Sequence, residues 1–250
     1  MPQLEQGSGP RARSSRGLLL RSIQVAGELL LSAGVVLLLF VAWQLWWTNV
    51  ASDARQREVV KDFARGAADG NGPAPATPKP AVGPEPAVGA TIGILYVPRF
   101  GAGYTRPIVQ GTTPAVLDTL GIGHYQGTAM PGAAGNFAVA GHRQTHGAVL
   151  DNIDALVPGD RIYVQTREGY YVYVFRNSQT VLPSRTDVLL PVPTQPGAAP
   201  TESYLTMTSC YPRFGSQERF VAYALLERWQ PVSAGPPAAI AQAARAAREG

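Results

Sequence analysis

From Leu29 to Trp47 the chain reads LLLSAGVVLLLFVAWQLWW and carries no charge. A helix rises about 1.5 Å per residue, so this run is long enough to cross a hydrocarbon core roughly 30 Å thick. It is apolar on every side and lacks the single stripe of a helix packed on a soluble core. Trp43, Trp46 and Trp47 gather at one end, where indole rings suit the membrane–water boundary. Arg11, Arg13, Arg16 and Arg21 precede the run. Cationic residues on that side favour a cytoplasmic N-terminus, with the remaining chain outside the membrane. Glu28 falls at the inner edge, where a carboxylate still reaches water. A cleaved signal peptide is the competing reading. The tryptophan cluster makes a poor cleavage region, which small residues normally form.

The chain then divides by composition into five parts. Residues 1–28 are the cytoplasmic segment, and 29–47 the transmembrane helix. Residues 48–89 hold a juxtamembrane stretch and a spacer. Residues 90–229 form the folded domain, and 230–250 a flexible or helical tail. Within the third part, Ser52–Phe63 (SDARQREVVKDF) reads as a short polar helix. From Gly66 to Gly89, Pro73, Pro75, Pro78, Pro80, Pro84 and Pro86 alternate with Ala and Gly. Such a segment has no core and serves as an extended, semi-rigid spacer.

Only 15% of the residues are charged, while Gly (27) and Pro (22) are abundant, which points to a β-rich domain with long irregular segments. Six strands are legible: Thr91–Val97, Asn136–His142, Arg161–Thr166, Tyr170–Phe175, Tyr204–Ser209 and Phe220–Glu227. Gly169 fits a hairpin between the third and fourth. The last strand is apolar on both faces, as a strand covered on both sides would be. Thr113–Leu120 is the best short helix, with Thr at the cap and Pro at the first helical position. Many short strands with few helices indicate a closed barrel or a sandwich. The net charge of +4 comes from scattered residues, so no nucleic-acid surface is expected.

Cys210 is the single cysteine, and it follows a strand in Thr206-Met207-Thr208-Ser209-Cys210-Tyr211-Pro212. It has no partner for an internal disulfide, so it is either an inert core residue or a reactive thiol. A thiol nucleophile needs a base and a donor for the oxyanion. His142 ends the apolar run 136–142 beside Gly141, a position where a site can form. Arg219 opens the last strand. If that strand and the one ending at Cys210 are antiparallel neighbours, the two residues lie about 5 Å apart. Its planar guanidinium keeps its charge and offers several donors. A lone histidine is more often structural, and a strand-edge arginine is often merely solvated, so spacing leaves both open. No zinc pattern, nucleotide-binding loop or GxSxG elbow is present.

These blocks together resemble the sortase family. Thr206–Cys210 (TMTSC) is similar to the sortase signature TLxTC, with Met207 in the Leu place and Ser209 in the last Thr place. Tyr211-Pro212-Arg213-Phe214 followed by Gln217-Glu218-Arg219 resembles the segment bearing the family's active-site arginine. Gly121–Arg143 resembles the region that ends in its active-site histidine. The Gly-His-Arg ending and the Tyr-Pro after the cysteine look most like class E, the housekeeping-type sortases of high-GC Gram-positive bacteria. The resemblance runs from about Ala90 to Trp229, and a membrane anchor with a spacer is the family's usual layout.

The resemblance implies an eight-stranded β-barrel and a membrane-anchored cysteine transpeptidase. Its substrates would be surface proteins with a C-terminal LPxTG or LAxTG motif, cut between Thr and Gly. The Thr carbonyl would pass to an amine of a lipid-linked peptidoglycan precursor. By position, Cys210 would be the nucleophile, His142 the acid/base and Arg219 the oxyanion donor. Met207 conserves the volume of Leu, and Ser209 keeps a hydroxyl, so no reacting group is lost. Thr208, Ser209 and Tyr125 are candidates for lining the substrate groove, a core role for Tyr125 being equally open. His124 is expected to be structural or peripheral, His146 a surface residue, and Tyr170–Tyr173 barrel filling. Amide exchange needs no cofactor; the sequence leaves metal activation open. A thiol peptidase on the same barrel and a catalytically silent peptide-binding scaffold remain as alternatives.

Overall fold

The structure, a computed structural model, describes residues 15–68 and 80–249. Arg11, Arg13, Pro73, Pro75 and Pro78 lie outside the described residues. The chain forms two compact units, 1–46 and 47–250. The first contains most of the apolar run, inside helix α1 (Ser15–Ala68). Its large apolar side chains, among them Leu30, Leu38 and Phe40, are exposed. In a water-soluble unit such a surface would be unfavourable, so this helix is a candidate membrane span. The juxtamembrane helix expected as a separate element is the continuation of α1.

The second unit is built on eight strands: β1 (Thr91–Tyr96), β2 (Thr105–Gln110), β3 (Ile122–His124), β4 (Gly135–Ala140), β5 (Arg161–Gln165), β6 (Gly169–Val181), β7 (Ser203–Tyr211) and β8 (Glu218–Pro231). They close in the order β1-β2-β3-β4-β7-β8-β6-β5. The β2–β3 and β4–β7 pairs are parallel and the others antiparallel. Closure leaves no unpaired sheet edge. The barrel interior is filled by Leu95, Ile108, Ile122, Phe137, Val139, Ile162, Val164, Tyr171, Tyr173, Leu205 and Met207. These residues recur at every second position of their strands, so the intervening side chains face outward. Of the tyrosines taken as filling, Tyr171 and Tyr173 lie inside, whereas Tyr170 faces out.

Two strands had no clear sequence signal. β2 contains Pro107, which cannot donate a ladder hydrogen bond. β3 has three residues, too few to display a period. The expected helix 113–120 is reduced to one turn of regular helix, α2 (Pro114–Leu117), with Asp118 at its C-cap.

The outer face of β1, β5 and β6 is covered. Tyr96, Tyr163, Tyr170 and Val172 pack with Val60, Phe63, Ala64 and Ala67 of α1. Ile240 and Ala243 and Ala244 of α3 (Ala241–Glu249) join the same cluster. Within the C-terminal tail, residues 238–249 are therefore helical and docked on the barrel. Residues 80–89, expected as part of a free spacer, run along the barrel. Gln110 Nε2 donates to Glu85 Oε1 at 2.6 Å, the Gly89 amide donates to Gln110 O at 2.9 Å, and Tyr171 donates to Ala81 O. At the far end of β6, Val181 packs with Val188 and with Val221 of β8 in a small cluster that also takes in Tyr223, covering part of the outer face of β8.

Candidate active site

Strand register brings the three candidate residues to one end of the barrel. Cys210 of β7 pairs directly with Arg219 of β8. On the other side, β4 runs parallel to β7 with Ala140 opposite Thr208. The register continues past the strand: the Gly141 amide donates to Thr208 O at 3.1 Å, and Ser209 Oγ donates to Gly141 O at 2.8 Å. His142 is thus level with Cys210. Neighbouring strands are about 4.8 Å apart, so His142, Cys210 and Arg219 stand in a row. Parity sets their direction. Met207 and Ala222 point into the barrel, so Cys210 and Arg219 point out from the same face.

The loop after β4 is tightly held. A side chain at Gly141 would bring its Cβ within 2.7 Å of Val149 and 3.0 Å of Leu150, so only glycine fits before His142. The Leu150 amide donates to His142 O at 2.9 Å. Arg143 is 2% exposed, pairs with Asp154, and lies 5.6 Å from the centre of the Tyr211 ring. The Gly-His-Arg segment therefore has a structural reading for each neighbour of the histidine: close packing before it and a buried ionic tie after it.

His142 Nε2 lies 2.7 Å from Asp118 Oδ1. A carboxylate only accepts, so this bond places the proton on Nε2 and leaves Nδ1 with its lone pair. Nothing in the sequence indicated Asp118, which comes from the end of α2, 24 residues upstream. Its backbone is fixed by Ser52 of α1, whose Oγ donates to Asp118 O at 2.9 Å. His146, expected on the surface, is half-buried, with its ring centroid 5.0 Å from that of His142. The four-residue spacing between these histidines was the one available signal.

Arg219 Nη1 donates to Ser216 O and Glu218 O, both at 2.9 Å. These bonds hold the guanidinium by one nitrogen and leave Nη2 and Nε out of them. Cys210 is half-buried and unbridged. Thr208 and Tyr125 meet through their hydroxyls at 3.0 Å, on the outward face beside Cys210. Ser209 faces the other way, its hydroxyl committed to Gly141. His124 is fully buried: Nδ1 lies 2.7 Å from Gln110 Oε1, Nε2 lies 2.9 Å from Thr128 Oγ1, and the ring stacks on Phe137. Burial pushes its pKa below the ordinary histidine value. A cleft of about 400 Å³ beside Tyr204, Tyr223 and Thr194 lies towards the opposite end of β7 from Cys210.

The chain and its barrel have counterparts among known proteins. The sortase domain family matches residues 95–227. The chain belongs to the sortase family, the cysteine transpeptidases. Sortase SrtE1 of Streptomyces coelicolor is 35% identical over 247 residues, covering 96% of this chain and 67% of that protein. The solved structure of the SrtA sortase from Actinomyces oris is 39% identical, with a TM-score of 0.62, covering 65% of this chain and 94% of that one. Sortase E1 from Streptomyces coelicolor, solved with a tripeptide in the active site, is 36% identical with a TM-score of 0.55, covering 61% and 97% respectively. The Streptomyces relative and its solved structure both carry the class E designation, the class whose pattern the Gly-His-Arg and Tyr-Pro segments resemble.

Proposed function

We propose that this sortase is a membrane-anchored transpeptidase that joins surface proteins to a cell-wall precursor through a thioester on Cys210. The observation that carries the reading is the row His142, Cys210 and Arg219 at one barrel end. His142 Nδ1 takes the Cys210 thiol proton, and the thiolate attacks the Thr carbonyl of an LPxTG- or LAxTG-type motif. The carbonyl oxygen gains negative charge, and the Arg219 donors left out of the turn bonds stabilise it. His142 gives a proton to the departing glycine amine, and the thioester forms as the C–N bond breaks. The precursor amine then attacks the thioester. His142 takes its proton, and the thiolate leaves. One amide replaces another, so the sequence of steps balances without a cofactor.

Asp118 serves as a positioning residue. By accepting from Nε2–H it fixes the ring and its tautomer, leaving Nδ1 as the nitrogen that exchanges protons. Thr208 and Tyr125 supply hydroxyls to the outward face along which an extended peptide would lie. The apolar run 29–47 anchors the chain with its N-terminus in the cytoplasm and the barrel outside. The test uses the full chain in detergent with an LAxTG peptide and a glycine or diamino acid amine, the products being analysed by mass spectrometry. An amide-joined product is expected. Cleaved acid alone would make the protein a thiol peptidase, and intact peptide throughout would leave a silent scaffold.

A further inference from the structure

The imidazoles of His142 and His146 and the carboxylate of Asp118 converge from two separate segments. His142 Nε2 is 2.7 Å from Asp118 Oδ1, His146 Nδ1 is 3.9 Å from the same oxygen, and all three ligand atoms lie within 4.8 Å of one another. Zinc bonds of about 2.0–2.2 Å in a tetrahedron separate ligand atoms by roughly 3.3–3.6 Å. The separations to Asp118, 2.7 and 3.9 Å, bracket that range, and the two histidine nitrogens, within 4.8 Å of each other, have at most about 1.5 Å to close to reach it. Two imidazoles and one carboxylate are ligands that suit Zn2+, and three protein ligands leave a fourth position open.

One further observation points to a ligand. His146 Nδ1 is sealed from solvent and has no hydrogen-bond partner among the described residues. A buried nitrogen in that condition is unfavourable unless something occupies its lone pair. His146 also holds φ at +53°, in the left-handed region that non-glycine residues seldom adopt. Backbone strain of that kind persists only where the surroundings enforce it. Here Gln56 Nε2 donates to His146 O at 3.1 Å, and the next amide, of Gly147, donates to Asn49 Oδ1 at 2.9 Å. Ser52 fixes Asp118 from the same helix. One face of α1 thus pins the backbones of two of the three ligands.

We propose that Asp118, His142 and His146 form a Zn2+ site whose occupation switches the transpeptidase off. Coordination at Nε2 of His142 requires the neutral ring to carry its proton on Nδ1, so the Nε2 proton that faces Asp118 is lost to solvent and Nδ1 takes one up, which fills the nitrogen that exchanges protons in turnover. The ring is then held by the metal and cannot cycle a proton for the Cys210 reaction. The binding arm of this proposal is independent of the role of His142, whereas the inhibition arm rests on its reading as the acid/base.

The experiment titrates Zn2+ into the full chain in detergent by calorimetry, with peptide turnover followed in parallel. The variants are His146→Asn, Asp118→Asn and Cys210→Ala. Asparagine tolerates the left-handed backbone, so His146→Asn keeps the loop while removing a ligand. Wild type and Cys210→Ala are expected to bind one Zn2+ with the same affinity. His146→Asn should bind at least about tenfold more weakly, the lower end of what loss of even an outer-shell partner brings. It should keep metal-free turnover and resist Zn2+ inhibition. Asp118→Asn should also bind more weakly, which guards against a folding defect at position 146. Zn2+ that does not bind, that binds equally to His146→Asn, or that requires Cys210 would overturn the site. Binding as expected with undiminished turnover would overturn the inhibitory role alone.

Discussion

At the scale of single residues, three side chains carry the proposed chemistry and one positions it. Cys210→Ala, His142→Ala and Arg219→Ala are each expected to reduce turnover to background. A near-normal rate in any of them would contradict that residue's role. Asp118→Asn keeps the shape but reverses the preferred donor, since an amide nitrogen can face Nε2. We expect kcat to drop roughly ten- to a hundredfold, less than the 10²–10⁴ that a general acid–base contributes. KM should stay near its wild-type value, and the pH–rate profile should change shape; a purely structural role would leave the profile alone. His124 gives a stability prediction. In the folded state burial lowers its pKa, while the unfolded chain keeps the ordinary value of about 6.5. Below that value the unfolded state binds a proton that the folded state refuses, so stability is greatest above about pH 6.5 and falls as the pH drops through it. Melting curves at pH 7.5 and 5.5 check this. His124→Gln should flatten the difference, whichever way it shifts the melting point itself.

The residues that the sequence made visible are those with a local signature: a lone cysteine after a strand, a histidine after glycine, an arginine opening the next strand. Asp118 and His146 were not visible in this way. Their relation to His142 depends on how α2 and the loop after β4 fold onto one another, and on contacts from α1 some 90 residues away in sequence. No window of local periodicity contains that information.

At the scale of elements, strands with a clean alternation were legible and those without it were not. β2 is interrupted by Pro107, and β3 is held by pairing on both sides rather than by its own pattern. Ser52–Phe63 and the C-terminal tail were recognised as helix-prone, but their docking was not. Each has a polar face and a short apolar one, and the surface that receives them is the outer side of a barrel whose tyrosines read equally well as filling. Packing on that surface has a measurable consequence. Ile240 is 2% exposed among Tyr96, Tyr170 and Val60. Ile240→Ala should cost about 2–4 kcal/mol by cavity formation. For a unit of this size that lowers the melting temperature by roughly 4–15 °C. An unchanged melting point would mean that α3 is not docked in solution. By the same argument, a fragment limited to residues 90–229 loses both helices and exposes their shared apolar bed, so functional work belongs with the longer chain.

At the scale of the whole molecule, one apolar helix and one barrel make a division of labour. The proposed orientation puts the single thiol outside the cell membrane. Because Cys210 is the only cysteine, a membrane-impermeant maleimide applied to intact cells should label the wild-type protein and not Cys210→Ala. Labelling only after lysis would reverse the assigned topology. Family membership and the barrel follow from the fold and the relatives; the thioester is the step on which the proposed function depends.

The most direct measurement is the mass of the intact protein after brief exposure to an LAxTG peptide without an acceptor amine. The thioester mechanism predicts an adduct equal to the peptide up to and including Thr, carried by Cys210, absent from Cys210→Ala, and discharged when the amine is added. An enzyme that turns the peptide over while its own mass never changes, or a Cys210→Ala variant that still forms product, would contradict it.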